Sequence, residues 1–143
     1  MSTPTPAPPI SAEAPRVDES LITYTHVIYA LHSLSVIIGI TTFHTIVFSF
    51  IWGLPSIIAV IMNYARRAAT NGTYLESHFR WQIRTFWYAV LWSVLIWVIS
   101  VPLMLVLVGF PLFILGHLAL GIWIAYRVAR GWLALKDGRP MYV

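Results

Sequence analysis

A chain of 143 residues that is 59% hydrophobic and 10% charged, with a mean hydropathy of +0.77, carries far fewer charges than the roughly 25% of a soluble domain and reads as one small membrane-embedded unit. Its net charge of +4 does not point to nucleic acid: eight of its nine basic residues flank long apolar stretches, where anionic lipid headgroups are the nearer partner. The lack of cysteine excludes disulfides, thiolate metal sites and cysteine nucleophiles.

At the start, Pro4, Pro6, Pro8, Pro9 and Pro15 alternate with Ser, Thr and Ala. Such a composition builds no core and predicts a disordered tail over residues 1–20. Without a basic start or an apolar run leading to a cleavage site, that tail is expected to be retained.

Residues 21–65 and 85–126 contain no Asp, Glu, Lys or Arg. Each stretch is too long for one crossing, which takes about 20 helical residues, and long enough for two. The first divides at its most polar point, residues 39–45, giving helices over 21–40 and 46–64, the second kinked at Pro55. The second divides at Gly109-Phe110-Pro111, giving helices over 85–108 and 111–130, with Pro102 as another kink. The expected fold is therefore an all-α membrane protein of four transmembrane helices in two hairpins, a four-helix domain over 21–135 with a tail at 136–143. Arg66, Arg67, Arg80 and Arg84 lie between the hairpins, and Arg127, Arg130, Lys136 and Arg139 follow them. The positive-inside rule then places both termini and the central segment in the cytoplasm.

The central segment is the richest part of the chain. Asn71-Gly72 marks a turn, and Thr73 with Glu76 fits a capping box, so a linker helix is expected over 73–84. On it Leu75, Phe79 and Ile83 share one face, Glu76, Arg80 and Arg84 a second, and His78, Gln82 and Thr85 a third. This describes an amphipathic helix that lies in the interface and leads into helix three. Glu76, His78, Arg80, Trp81, Gln82 and Arg84 are accordingly the candidate contacts to a partner or to lipid. Each also has a plainer role: Glu76 as a cap and partner of Arg80, the arginines against lipid phosphates, His78 as a solvated side chain. Trp81, Trp87, Tyr88 and Trp92 would form an aromatic belt.

The run from Glu76-Ser77-His78-Phe79-Arg80-Trp81-Gln82-Ile83-Arg84 through Thr85-Phe86-Trp87, and the ending from Tyr126-Arg127 to Arg139-Pro140-Met141, resemble the small bacterial members of the Tic-twenty-like family over residues 21–141. The resemblance implies a four-helix protein of the bacterial inner membrane. Plant relatives belong to a protein-import complex of the chloroplast inner envelope, which implies a link to protein or lipid translocation by analogy of fold alone.

His26, His32, His44 and His117 lie in or at the ends of apolar stretches, where ionisable groups are functional candidates. On this topology His32 and His117 lie at similar depth and could approach each other. Together they could ligate a b-type haem, or each could be satisfied by one hydrogen bond to a Ser or Thr of a neighbouring helix. Helix four carries Gly121, Ala125 and Ala129 at four-residue spacing, a small-residue stripe for helix packing within the bundle or between subunits. The tail is expected to extend helix four along the membrane surface, with Gly138 and Pro140 as a stop.

Paired carboxylates, a phosphate loop, H-E-x-x-H and a nucleophile motif are all missing from the sequence. The chain is therefore expected to be no enzyme, to use no cofactor or metal, and to bind no nucleic acid. Its expected role is that of an accessory or scaffold subunit of an envelope complex, with anionic lipid and a membrane-protein partner or second copy as its contacts. A small transporter or channel subunit and a haem electron-transfer protein are the alternatives.

Overall fold

The computed structural model describes residues 17–41 and 46–141, with side chains described over 17–39 and 53–141. The Pro-rich segment 1–16 and His44 lie outside the described residues. Four helices, α1 (Glu19–Thr41), α2 (Ile46–Arg66), α3 (Tyr74–Leu103) and α4 (Gly109–Lys136), account for most of the chain, joined by the 3₁₀ turns Arg67–Thr70 and Met104–Val106. The fold is all-α. Among the described residues three helical stretches are long and apolar enough to cross a membrane: Glu19–Gly39, Tyr74–Val106 and Gly109–Lys136.

Helix α1 begins inside the segment expected to be disordered because Asp18 caps it. Its Oδ1 accepts from the Ser20 N–H at 2.9 Å, and its Oδ2 accepts from the Ser20 hydroxyl at 2.7 Å. These bonds hold the Asp18 carboxyl below its ordinary range. Pro55 lies inside α2, as its spacing suggests.

The expected linker helix over 73–84 is not a separate element: α3 runs unbroken from Tyr74 to Leu103. The correction has a simple cause. No glycine or proline lies between Thr73 and Pro102, so nothing near Arg84 interrupts the hydrogen-bond ladder. A helix of 30 residues is about 45 Å long at 1.5 Å per residue, well beyond the ~30 Å of bilayer hydrocarbon. Its first turns therefore continue the axis of the apolar shaft rather than lie flat in the interface.

At its far end α3 stops at Leu103, five residues earlier than expected, since Pro102 cannot donate to the preceding turn. Leu107 then takes a left-handed backbone, φ 63°. Helix α4 starts at Gly109 with Pro111 in its first turn, where a missing N–H is tolerated. It continues straight through the basic tail to Lys136.

The core is gathered at one end of the molecule. Leu21 and Tyr29 of α1, Leu75 of α3, and Val128 and Leu135 of α4 form one cluster, while Ile28, Ala59 and Phe79 form a second. These residues come from the start of α1, the end of α2, the start of α3 and the end of α4, the same ends that carry the arginines. In the most apolar window of α1 33% of residues are buried, against 6% in those of α3 and α4. Beyond the core, α3 and α4 pack mainly on each other.

Candidate functional site

The packed end holds a network of buried polar side chains that joins three helices and the C-terminal tail. His78 is fully buried. Its Nε2 lies 2.8 Å from the carbonyl oxygen of Arg139, which can only accept, so Nε2 carries the proton. Nδ1 is left as the acceptor for the Tyr29 hydroxyl at 2.9 Å. The rings of Tyr29 and Tyr74 stand edge-on to the imidazole, with centroids at 5.9 and 6.0 Å. On the residue just before His78, the Ser77 hydroxyl accepts from the Met141 N–H at 2.9 Å and donates to the Tyr74 carbonyl at 2.6 Å. Met141 is buried beside it, so the tail is clipped onto the start of α3. Gly131 of α4 makes room for Tyr29, whose hydroxyl oxygen would lie 2.5 Å from a Cβ there.

Deeper along α3, Gln82 is 2% exposed and both polar atoms of its amide lack a partner. With Tyr29, His32, Trp81, Thr85 and Arg127 it lines a cavity of about 10 Å³, roughly the space of one water. His32 also leaves Nε2 unpartnered, its Nδ1 standing 3.2 Å from the Ser56 hydroxyl of α2.

Around this core lies a layer of arginine on aromatic rings. The Arg127 guanidinium is 3.5 Å above the Trp81 ring and 5.1 Å from that of Trp123. Its Nε donates to the Thr85 hydroxyl at 2.8 Å, while the Trp81 indole N–H donates back to the Arg127 carbonyl at 3.2 Å. Arg130 lies 5.9 Å from the same Trp81 ring, and Arg84 lies 6.0 Å from the Tyr88 ring.

The six candidate contacts of the central segment thus divide. His78 and Gln82 are interior groups and offer nothing to a partner, while Trp81 is half-covered by Arg127. Glu76, Arg80 and Arg84 remain on the outside. Glu76 Oε1 accepts from Arg80 at 2.7 Å, and Oε2 accepts from the Gly72 N–H at 3.2 Å. The expected capping box is not made: the Thr73 hydroxyl turns back to the Thr70 carbonyl at 2.7 Å, and Glu76 reaches the Gly72 N–H instead of that of Thr73. Both partners of the Glu76–Arg80 pair are open to solvent, so Glu76→Gln is expected to cost well under about 1 kcal/mol. A shift of the thermal midpoint matching a buried pair would contradict this.

The histidines of the apolar stretches have separate partners. Besides the His32–Ser56 bond, His26 accepts at Nδ1 from the Trp132 indole at 3.0 Å. His117 bonds the Phe113 carbonyl of its own helix at 3.0 Å. Among the described residues no three metal-ligating side chains stand together. On α4, close approaches within the chain fall at Gly109, Gly116 and Gly131, whereas a Cβ at Gly121 would meet nothing within 4 Å. The side of Gly121 in the small-residue stripe is therefore open.

Tyr29 and Arg127 are the central residues that sequence reasoning missed. A signal existed for Arg127: it and Arg84 bound the second charge-free stretch on either side, so folding that stretch at its midpoint brings them level. Tyr29 carried no signal: it is one of two tyrosines in α1, and nothing in its spacing sets it apart from Tyr24.

No family model, curated protein or solved structure matches this chain. The likeness to the Tic-twenty-like family rests on the residues quoted for it alone.

Proposed function

We propose that this chain is a non-enzymatic, four-span protein of the bacterial inner membrane that serves as an accessory or scaffold subunit of an envelope complex. It holds another membrane protein, or a second copy of itself, along α3 and α4. The observation that carries this reading is the imbalance in packing: α3 and α4 bury 6% of their most apolar windows inside the chain, while α1 buries 33%. A helix pair that keeps so little surface for its own chain is completed by lipid on part of its circumference and by other helices on the rest. Gly121 and Ala125 mark where, since small residues let a second backbone come close and Gly121 has open space.

The four-span topology counts α2, 21 residues long and packed on α1. A cytoplasmic placement of both termini is supported by the meeting of the two basic clusters. Arg127 of the tail region touches Trp81 and Thr85 of the central region, and Arg66 lies over Tyr24 near the start of α1. On this topology a cysteine at Asn71 is shielded from an impermeant reagent in intact cells, and one at Thr42 is labelled.

The scaffold reading is tested by mild detergent extraction of wild type and Gly121→Leu. The variant is expected to keep its thermal midpoint, because the site is open, and to lose the co-purifying membrane protein or the second copy. Retention of every wild-type associate by Gly121→Leu would sink the proposal.

A further inference from the structure

Arg127 and Arg130 stand over the Trp81 ring at 3.5 and 5.9 Å, and Arg84, one turn beyond Trp81 on α3, lies over the Tyr88 ring at 6.0 Å, near enough for the charges of Arg84 and Arg130 to oppose that of Arg127. None has a carboxylate partner among the described residues: Glu76 is held by Arg80 and Asp137 by Arg139, Asp18 is taken up by Ser20, and Glu19 at the start of α1 makes no ion pair with them. Arg127 is fixed in place by the Trp81 ring under its guanidinium and by Thr85 at its Nε, which leaves its terminal nitrogens without a hydrogen-bond partner among the described residues. Arg130 is steadied by the Tyr126 hydroxyl at 3.2 Å. Three like charges assembled on a rigid aromatic base, without a counter-charge, suit an anion with several acceptor oxygens.

The surroundings select the anion. Directly beyond Arg84 on α3 come exposed Trp87, Tyr88 and Leu91, and directly before Arg127 on α4 come exposed Tyr126 and Ile122. From Arg84 to Leu103 the helix climbs about 28 Å, and from Gly109 to Arg127 about 27 Å, close to the ~30 Å of the hydrocarbon layer. The arginines therefore stand at one boundary of an apolar shaft of membrane thickness, at the level of headgroups. We infer that Arg84, Arg127 and Arg130 form a binding site for the phosphate of an anionic phospholipid, whose acyl chains lie along the exposed faces of α3 and α4. The inference rests on the membrane reading above and adds a specific ligand to it. Arg80, the other candidate lipid contact on this helix, is left out because Glu76 already neutralises it.

The test uses the full-length protein in neutral detergent, titrated with phosphatidylglycerol, phosphatidylcholine or inorganic phosphate and read by native mass spectrometry. One phosphatidylglycerol per chain is expected to stay bound in preference to phosphatidylcholine. Arg84→Ala with Arg130→Ala removes two exposed side chains, so it should keep the thermal midpoint and bind phosphatidylglycerol about 30-fold more weakly. Arg127→Lys keeps the charge but loses the fork and the stacking, and should also weaken binding. Equal retention of the two lipids by wild type, or undiminished binding by the double variant, overturns the site. Inorganic phosphate bound as tightly as phosphatidylglycerol would make the ligand a free phosphate and overturns the lipid assignment. The measurement is made on the purified chain alone, so a missing protein partner would fail the scaffold reading and leave this one standing.

Discussion

Gly109→Ala is expected to disrupt the junction of α3 and α4, at a cost of about 4 kcal/mol or more. A Cβ at this position would run into the carbonyl oxygen of Ser100, the amide nitrogen of Met104 and the carbonyl carbon of Leu103. All three are backbone atoms, so no change of rotamer relieves the collision; α3 and α4 must move apart where they join. Two other glycines of the same helix serve as controls. At Gly116 the nearest atoms are side-chain carbons of Ile96, beginning at 3.1 Å, which must yield by a few tenths of an ångström, and at Gly121 there is nothing within 4 Å. Alanine should therefore cost less at 116 than at 109, and least at 121. Thermal unfolding in detergent gives the order, and a Gly109→Ala midpoint equal to that of Gly121→Ala would show that the close approach does not hold the junction together.

His78→Ala is the second large effect. It strips the Tyr29 hydroxyl of its acceptor and the Arg139 carbonyl of its donor, each a buried or half-buried group whose orphaning costs about 1–3 kcal/mol. Two edge-on aromatic contacts go with it, at about 0.5–1.5 kcal/mol each where fully made. Allowing for relaxation, a loss of about 3–4 kcal/mol is expected. Loosening of the tail should accompany it, seen as faster hydrogen exchange at the Met141 amide, which donates to Ser77 next to His78. Tyr29→Phe tests the coupling. If His78 and Tyr29 act through their shared bond, the double variant costs less than the two single changes added together. Full additivity with an unaltered Met141 amide would mean that the two residues stabilise the fold independently.

Much of the fold could be read from the sequence, because charge-free length and breaker residues act locally. Gly109-Phe110-Pro111 marks the start of α4, and Asn71-Gly72 with Thr73 marks the start of α3 within a residue. The nature of the candidate site was less legible. His78, Gln82 and Thr85 fall on one face of α3 by helical spacing, and a polar face on a lone helix reads as a wet one. What buries it comes from far along the chain: Tyr29 is 49 residues before His78, and Arg139 is 61 after. Helical periodicity assigns faces to a helix, but it carries no information about which distant segment covers them. The unbroken passage through Arg84 was open to inference, since only a glycine or proline would have separated a linker helix from the shaft.

The connection at Met104–Val106 carries no charged side chain and presents apolar side chains outward. The Leu107 N–H is satisfied by the Met104 carbonyl at 3.0 Å, Gly109 is buried, and Leu105, Val106 and Leu107 are 90%, 63% and 74% exposed. This bears on how the protein enters its membrane. Passage of the α3–α4 pair through hydrocarbon carries no formal charge across, whereas a single basic residue at the bend would have to be moved against about 2.3 kcal/mol per 100 mV of potential in addition to its dehydration. On the proposed topology the pair goes in tip first, with Arg84 and Arg127 remaining behind on the side of synthesis. Its insertion then neither draws on the electrical gradient nor works against it.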